Sequence, residues 1–199
     1  SLESLEGLSS LQEVGGGVTL IQLNALGSLA GLEALRTIGA ALQVTMVPLL
    51  EEVDGLEGLE SIGGSLIVGA SGLANIDGLK NLETLGGDLA LTTAALSDLS
   101  PLAGLKVIPG RLILSAHQVA DLGPLSALDE LGGLSLNNTA VSDLTPLSAL
   151  GPETSGIHLW NNANLTDLAG LGNIERIHGD LSLNTNPVTD FSGLESLES

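Results

Sequence analysis

The sequence has no cysteine and no tyrosine, and its only large aromatics are Trp160 and Phe191. Without cysteine there is no disulfide framework and no thiol chemistry. With aromatics at 1% and apolar residues at 43%, leucine, isoleucine and valine must fill the core. Cations are scarce: 5 Lys and Arg stand against 24 Asp and Glu, a formal charge of −19. That balance excludes nucleic acid, which demands cationic neutralisation of phosphate. It equally disfavours anionic lipid. Acid on an apolar chain keeps it soluble and attracts cations or basic partners weakly. No run of about 18 apolar residues is present, so no membrane span is expected. No signal peptide is read at residue 1, which lies inside a repeat.

What the chain does contain is one unit written eight times. A leucine closes each "xGL" or "xPL": Leu8, Leu32, Leu56, Leu79, Leu102, Leu125, Leu147, Leu171 and Leu194, in steps of 22 to 24 residues. The cleanest copy is "LEGLESIGGSLIVGASGLANIDGL", residues 56–79. Its L-x-L pair (Leu66 and Val68, then Leu89 and Leu91, then Leu112 and Leu114) has the period of a strand, both side chains on one face. One short strand per turn cannot bury its own face, so the turns must stack. Eight strands at about 4.8 Å make a parallel sheet roughly 40 Å long. The spacings between the other leucines suit short extended pieces and tight turns rather than helices. Paired glycines precede the main strand at Gly63-Gly64, Gly86-Gly87 and Gly132-Gly133. They are expected to form a corner by adopting backbone angles closed to other residues. A phosphate-binding role is disfavoured, because neither a helix nor a lysine follows.

These residues resemble leucine-rich repeats. Turns such as "LESIGGSLIV" resemble the receptor L domain, and the sixth turn, "LDELGGLSLNNTAVSDLTPLSAL", resembles the internalin-type repeat of bacteria. The resemblance covers nearly the whole chain. It implies a mainly β fold, a right-handed parallel β-solenoid of about eight turns, spanning 1–199 as a single domain; the repeats cut at both ends lead us to expect a fragment of a longer protein, or a chain whose open ends meet a neighbour. It also implies an extracellular or cell-surface location and a role in protein recognition or adhesion. The repeat asparagine of such families survives here as Asn162 and Asn186. Elsewhere its place is taken by Ser71, Ala94, His117 or Thr139. "SLESLEGL" at the start and "LESLES" at the end lie within repeats, so uncapped ends are expected to permit end-to-end self-association.

A column of polar residues recurs in register: Ser28, Glu52, Asn75, Asp98, Asp121, Asp143, Asp167 and Asp190. Stacked carboxylates could recruit a cation. Ser28 and Asn75 hold the same place without charge, however, and all these residue types except glutamate commonly accept hydrogen bonds from backbone N–H groups just ahead. The column is therefore read as scaffold, a cap on the tight turns of "DLSPL", "DLGPL" and "DLTPL". No metal site and no cofactor are expected.

The outward strand positions form two rows. The first is Thr19, Gln43, Ile67, Ala90, Ile113, Ser135, His158 and Ser182; the second is Ile21, Thr45, Gly69, Thr92, Ser115, Asn137, Trp160 and Asn184. Neither row has a charged residue, which makes this face the candidate binding surface, although strand faces favour β-formers in any case. The named candidates are His158, Trp160, Asn137, Ser135, Asn184, Ser182, Ile113 and Ser115. Trp160 and His158 lie in the seventh turn, "LSALGPETSGIHLWNNANL", which lacks the glycine pair and gains a residue at "WNNAN". Tryptophan is enriched where binding energy concentrates, so a protein loop or a sugar is the expected partner here. The other reading is a tryptophan packed over an irregular corner. Catalysis has little support, because His117, His158 and His178 fall in different registers. The sequons "NNT" and "NLT" read as chance matches. An ice-binding array is broken by Gln43, Ile67, Ile113, His158 and Trp160. Two functions remain: a non-enzymatic recognition or adhesion module of a bacterial protein, or a rigid spacer or accessory domain.

Overall fold

In the computed structural model, which describes residues 2–70, 72–115, 118–148 and 150–198, the chain coils into a parallel β-solenoid. Eight main strands lie side by side in sequence order: Val18–Ile21, Leu42–Thr45, Leu66–Gly69, Leu89–Leu91, Val107–Leu114, Glu130–Asn137, Ile157–Trp160 and Leu181–Asn184. Their register stacks like on like: Leu42 beside Leu66, Leu66 beside Leu89, Leu89 beside Leu112. In the second turn Leu42 and Val44 are buried, while Gln43 and Thr45 between them stay half-exposed. The L-x-L motif thus sends two side chains inward per turn. A single continuous apolar core runs along the coil from Leu5 to Ile174. Each fully buried leucine contributes about 1.5–3 kcal/mol, so stability accumulates turn by turn through neighbouring contacts.

Ahead of each main strand lies a short one. Glu13–Val14, Thr37–Ile38, Ser61–Ile62 and Thr84–Leu85 form a second parallel sheet, and Glu153–Thr154 pairs with Arg176–Ile177. The glycine corner joins the two strands. The reason for glycine there differs from the expected one. Gly63 and Gly86 are not among the glycines of positive φ, which are Gly31 and Gly55. Instead the stacked backbones approach too closely for a side chain: a Cβ on Gly86 would stand 2.2 Å from the carbonyl oxygen of Gly63.

In the fifth and sixth turns the short and main strands fuse into Val107–Leu114 and Glu130–Asn137. The register between them shifts at Leu131 and Gly133. The cause is length. Pro109, Gly110 and Arg111 separate Ile108 from Leu112, but only Gly132 and Gly133 separate Leu131 from Leu134. The seventh turn is equally short, with Ser155 and Gly156 between Thr154 and Ile157. The residue gained after its strand is not peculiar to that turn. Five residues separate Leu159 from Leu165, as they do Leu20 from Leu26 and Val44 from Leu50, against four between Leu136 and Val141. The left-handed position after the strand is shared more widely, by Gln22, Met46, Asn138, Asn161 and Thr185.

The remaining side of the coil carries three-residue 3-10 turns, among them Ser100–Leu102, Thr145–Leu147 and Ser192–Leu194. The polar column caps them. Backbone N–H groups two residues ahead donate to Asp98 (2.8 Å), Asp121 (2.7 Å), Asp143 (2.8 Å), Asp167 (3.1 Å) and Asp190 (2.8 Å). Asn75 and Ser28 do the same at 2.6 and 2.9 Å without a charge. Glu52 is the exception, making only a strand-like bridge to Asn75. The Glu57 carboxylate takes the Gly55 N–H at 2.9 Å, as Glu33 takes that of Gly31 one turn earlier beside the Ser28 cap. The scaffold reading of the column therefore rests on the bonds themselves.

Candidate binding surface

The two outward rows are real rows. Parallel register places Ile113 beside Ser135, Ser135 beside His158 and His158 beside Ser182. It also places Asn137 beside Trp160 and Trp160 beside Asn184. Trp160 is 60% exposed, so it does not pack over the corner, and it stands in register between Asn137 and Asn184. Asn137 turns its amide to Ser135 and Ser115 at 3.3 and 3.5 Å, and Asn184 turns its own to Ser182 at 2.6 Å. Each amide carbonyl is left facing away from those bonds.

Six of the candidates (Ser135, Asn137, His158, Trp160, Ser182 and Asn184) line one shallow depression of about 300 Å³. Ile113 and Ser115 lie on the same face but outside it. A seventh lining residue, Arg111, was not among the candidates. It stands one position before the L-x-L pair and so falls outside both rows. The signal available was the residue type at that place across turns: Ser65, Asp88, Arg111, Gly133, Gly156 and Asp180. Two glycines follow the arginine, and they let it cross the sheet. Its Cγ lies 2.9 Å from where a Cβ on Gly133 would be, and its Nη2 lies 3.6 Å from the same point on Gly156. His158 Nε2 is 3.4 Å from that Gly156 point. The short corners of turns six and seven have thus made a trough, and Arg111 lies along it. The column beside the two uncharged rows brings a cation, Arg111, to the depression, with Asp88 and Asp180 elsewhere in the same column.

That cation has no ionic partner. Among the described residues, no carboxylate lies within 4.0 Å of the Arg111 guanidinium. Asp88, its neighbour in the row, is occupied differently, since Asp88 Oδ1 accepts the Arg111 backbone N–H at 2.8 Å. Arg176, by contrast, bonds Glu153 and Glu198 at 3.0 and 3.2 Å. His178 sits 3.0 Å from Glu153. The hydrogen bond from His178, then its charge, hold the Glu153 carboxyl below its ordinary value. The histidines are therefore dispersed: His158 on the face, His178 at a corner pair, and His117 (like Ser71) outside the described residues. Among the described residues no three His, Asp or Glu side chains gather into a metal-holding group, and no helix is long and apolar enough to cross a membrane.

Comparison with known proteins gives fold relatives only. No family model matches the sequence, and no curated protein matches it. Among solved structures, internalin C2 from Listeria monocytogenes is 25% identical, over 91% of this chain and 77% of that one, with a TM-score of 0.58. Internalin F from the same organism is 20% identical over 97% of this chain and 66% of that one, with a TM-score of 0.49. The functional domain of InlJ, again from Listeria monocytogenes, is 16% identical over 88% of this chain and 44% of that one, with a TM-score of 0.46. With the repeat, the parallel sheet and the likeness to internalin C2 together, the chain is a leucine-rich repeat protein of internalin-like architecture.

Proposed function

We propose that the chain is a non-enzymatic recognition module of a bacterial cell-surface or secreted protein, and that it engages a protein partner through the outward face of its main sheet. One observation carries this reading. A 60% exposed tryptophan is placed by strand register in a polar depression, on two outward rows that hold no charged residue in a chain of charge −19. Exposed tryptophans in such settings are favoured anchors for partner side chains. The surface location and the adhesive role are supported by the internalin-like architecture, and fold alone does not assign them.

The regularity of the coil favours a second reading. Eight strands in unbroken parallel order make a stiff rod, which suits a spacer or an accessory domain of a larger extracellular protein. The two readings separate on Trp160→Ala. Wild-type and variant are passed over an immobilised array of host and bacterial surface-protein ectodomains, with circular dichroism confirming equal folding. A recognition module captures a defined ectodomain and loses it on the substitution. A spacer gives the same array for both proteins.

A further inference from the structure

We infer that the depression around Arg111, His158 and Trp160 is a subsite for a carboxylate-bearing sugar, the acidic end residue of a glycan. The inference shares its face with the protein-recognition reading but not its partner class.

The cation comes first. Arg111 is half-buried, with its stem laid over Gly133 and its guanidinium over Gly156. A guanidinium held this way has lost freedom before any ligand arrives. Its planar fork suits the two oxygens of a carboxylate. His158 Nε2 and Arg111 Nη2 lie 3.4 and 3.6 Å from one point beside the Gly156 backbone, which the Asp180 carbonyl oxygen also approaches at 3.2 Å, so both nitrogens border the same depression. No carboxylate of the chain fills that place within 4.0 Å among the described residues.

The rest of the lining selects what carries the carboxylate. A pyranose has an apolar face of C–H bonds and a rim of hydroxyls. Trp160 offers an open ring for the first. Asn137 and Asn184 flank it in register, with carbonyl oxygens not engaged by the serines that hold their amides. These are acceptors for hydroxyl donors. The depression, at about 300 Å³, sits at the small end of ligand sites, which run from about 300 to 1,000 Å³. Every lining residue other than Trp160 is polar, which surrounds one stacking ring with hydrogen-bonding groups, as a hydroxyl-rich ligand requires. The net charge of −19 sets a further limit. It repels polyanionic glycans at long range, so one carboxylate is favoured over many.

The test uses the chain's single tryptophan as its own reporter. Methyl glucuronide and methyl sialoside are titrated against the full chain with Trp160 fluorescence as readout, beside neutral methyl glucoside and the protein-like carboxylate acetyl-Asp-methylamide. A saturable response to at least one acidic sugar is expected, about tenfold or more tighter than to the glucoside, as for a charge-assisted bond. Arg111→Gln should abolish that preference and leave the weak glucoside response unchanged. Should Arg111→Gln fail to fold, the wild-type comparison of charged with neutral sugar still decides. Equal binding of acidic and neutral sugars overturns the inference. So does the absence of saturation with any sugar. Tighter binding of acetyl-Asp-methylamide also overturns it, and would assign the subsite to a protein carboxylate. Ectodomain capture can stand or fail independently of these outcomes.

Discussion

Asn162 and Asn186, one turn apart, hydrogen-bond to each other inside the coil. Asn186 Oδ1 accepts both the backbone N–H of Asn162 at 2.9 Å and its side-chain amide at 3.1 Å. Asn162 is fully buried. Its amide also reaches the Leu136 carbonyl at 3.0 Å, and its Oδ1 accepts from the N–H and hydroxyl of Thr139 at 3.1 and 2.7 Å. Asn186 in turn donates to the Leu159 carbonyl at 2.7 Å. The ladder thus spans turns six to eight and ends on a threonine.

Removing its middle rung should be costly and local. Asn162→Leu removes the side-chain bonds to the Leu136 carbonyl and the Thr139 groups, while Asn186 Oδ1 keeps the backbone N–H of residue 162; each buried group left unpaired costs about 1–3 kcal/mol. A total loss on the order of 3 kcal/mol is expected in urea unfolding. Amide exchange should accelerate first around residues 134–190 and least in turns one to three. A loss under 1 kcal/mol, or exchange that rises evenly along the coil, contradicts this account.

The capping aspartates predict a pH signature. Bonds from Thr145, its hydroxyl first and its N–H second, hold the Asp143 carboxyl below its ordinary value. Those from Ser100 act on Asp98 in the same order, and those from the Ser192 N–H and then its hydroxyl act on Asp190. A depressed carboxyl contributes stability that is fully present above its unfolded value of about 4 and is lost as pH falls through the lower folded value. Asp143→Asn keeps an acceptor, as Asn75 does naturally, and does not titrate. Its melting temperature at pH 7 should match wild type, while Asp143→Ala should melt about 2–4 °C lower. At pH 3 Asp143→Asn should be more stable than wild type. A thermal melt series from pH 7 to 3 decides, and an Asn variant as weak as the Ala variant at pH 7 contradicts the cap.

Much of this was legible because the repeat supplies its own alignment. Eight copies of L-x-L place the strands, and the polar column places the caps. What escaped the sequence depended on contacts between turns. The corner glycines look like turn residues, yet their reason is the carbonyl of the previous glycine. Arg111 lies outside the rows that define the face, and only the shortened corners of the next two turns carry it there. The ladder threonine at 139 departs from the asparagine pattern but still joins the Asn162 bond network.

Glycine positions therefore divide by stacking distance. A Cβ on Gly170 would lie 1.7 Å from the Leu144 carbonyl oxygen, whereas one on Gly151 meets nothing within 4 Å. Gly170→Ala must push two turns apart and should lower stability by roughly 2 kcal/mol or more, in the range of other overpacking changes. Gly151→Ala should be neutral or gain up to about 1 kcal/mol, by restricting the unfolded chain. Paired urea titrations read both, and similar midpoints for the two variants would contradict the stacking argument.

Salt separates scaffold from site in the acidic column. With a charge of −19 the folded coil repels itself, and ions screen that repulsion over about 10 Å at 0.1 M. Melting temperature should rise steadily with sodium chloride between low and physiological ionic strength. If the aspartates only cap turns, each already holds a backbone N–H and has no reason to gather around a divalent ion. Calcium and sodium chlorides at matched ionic strength should then give similar melting temperatures. A cation row would behave differently: calcium would add a saturable increment that follows its own concentration, and Asp98→Asn with Asp143→Asn would remove it. Such an increment would overturn the scaffold reading of the column. Its absence, with a clear sodium effect, leaves capping as the reason an aspartate returns in every turn from the fourth to the eighth.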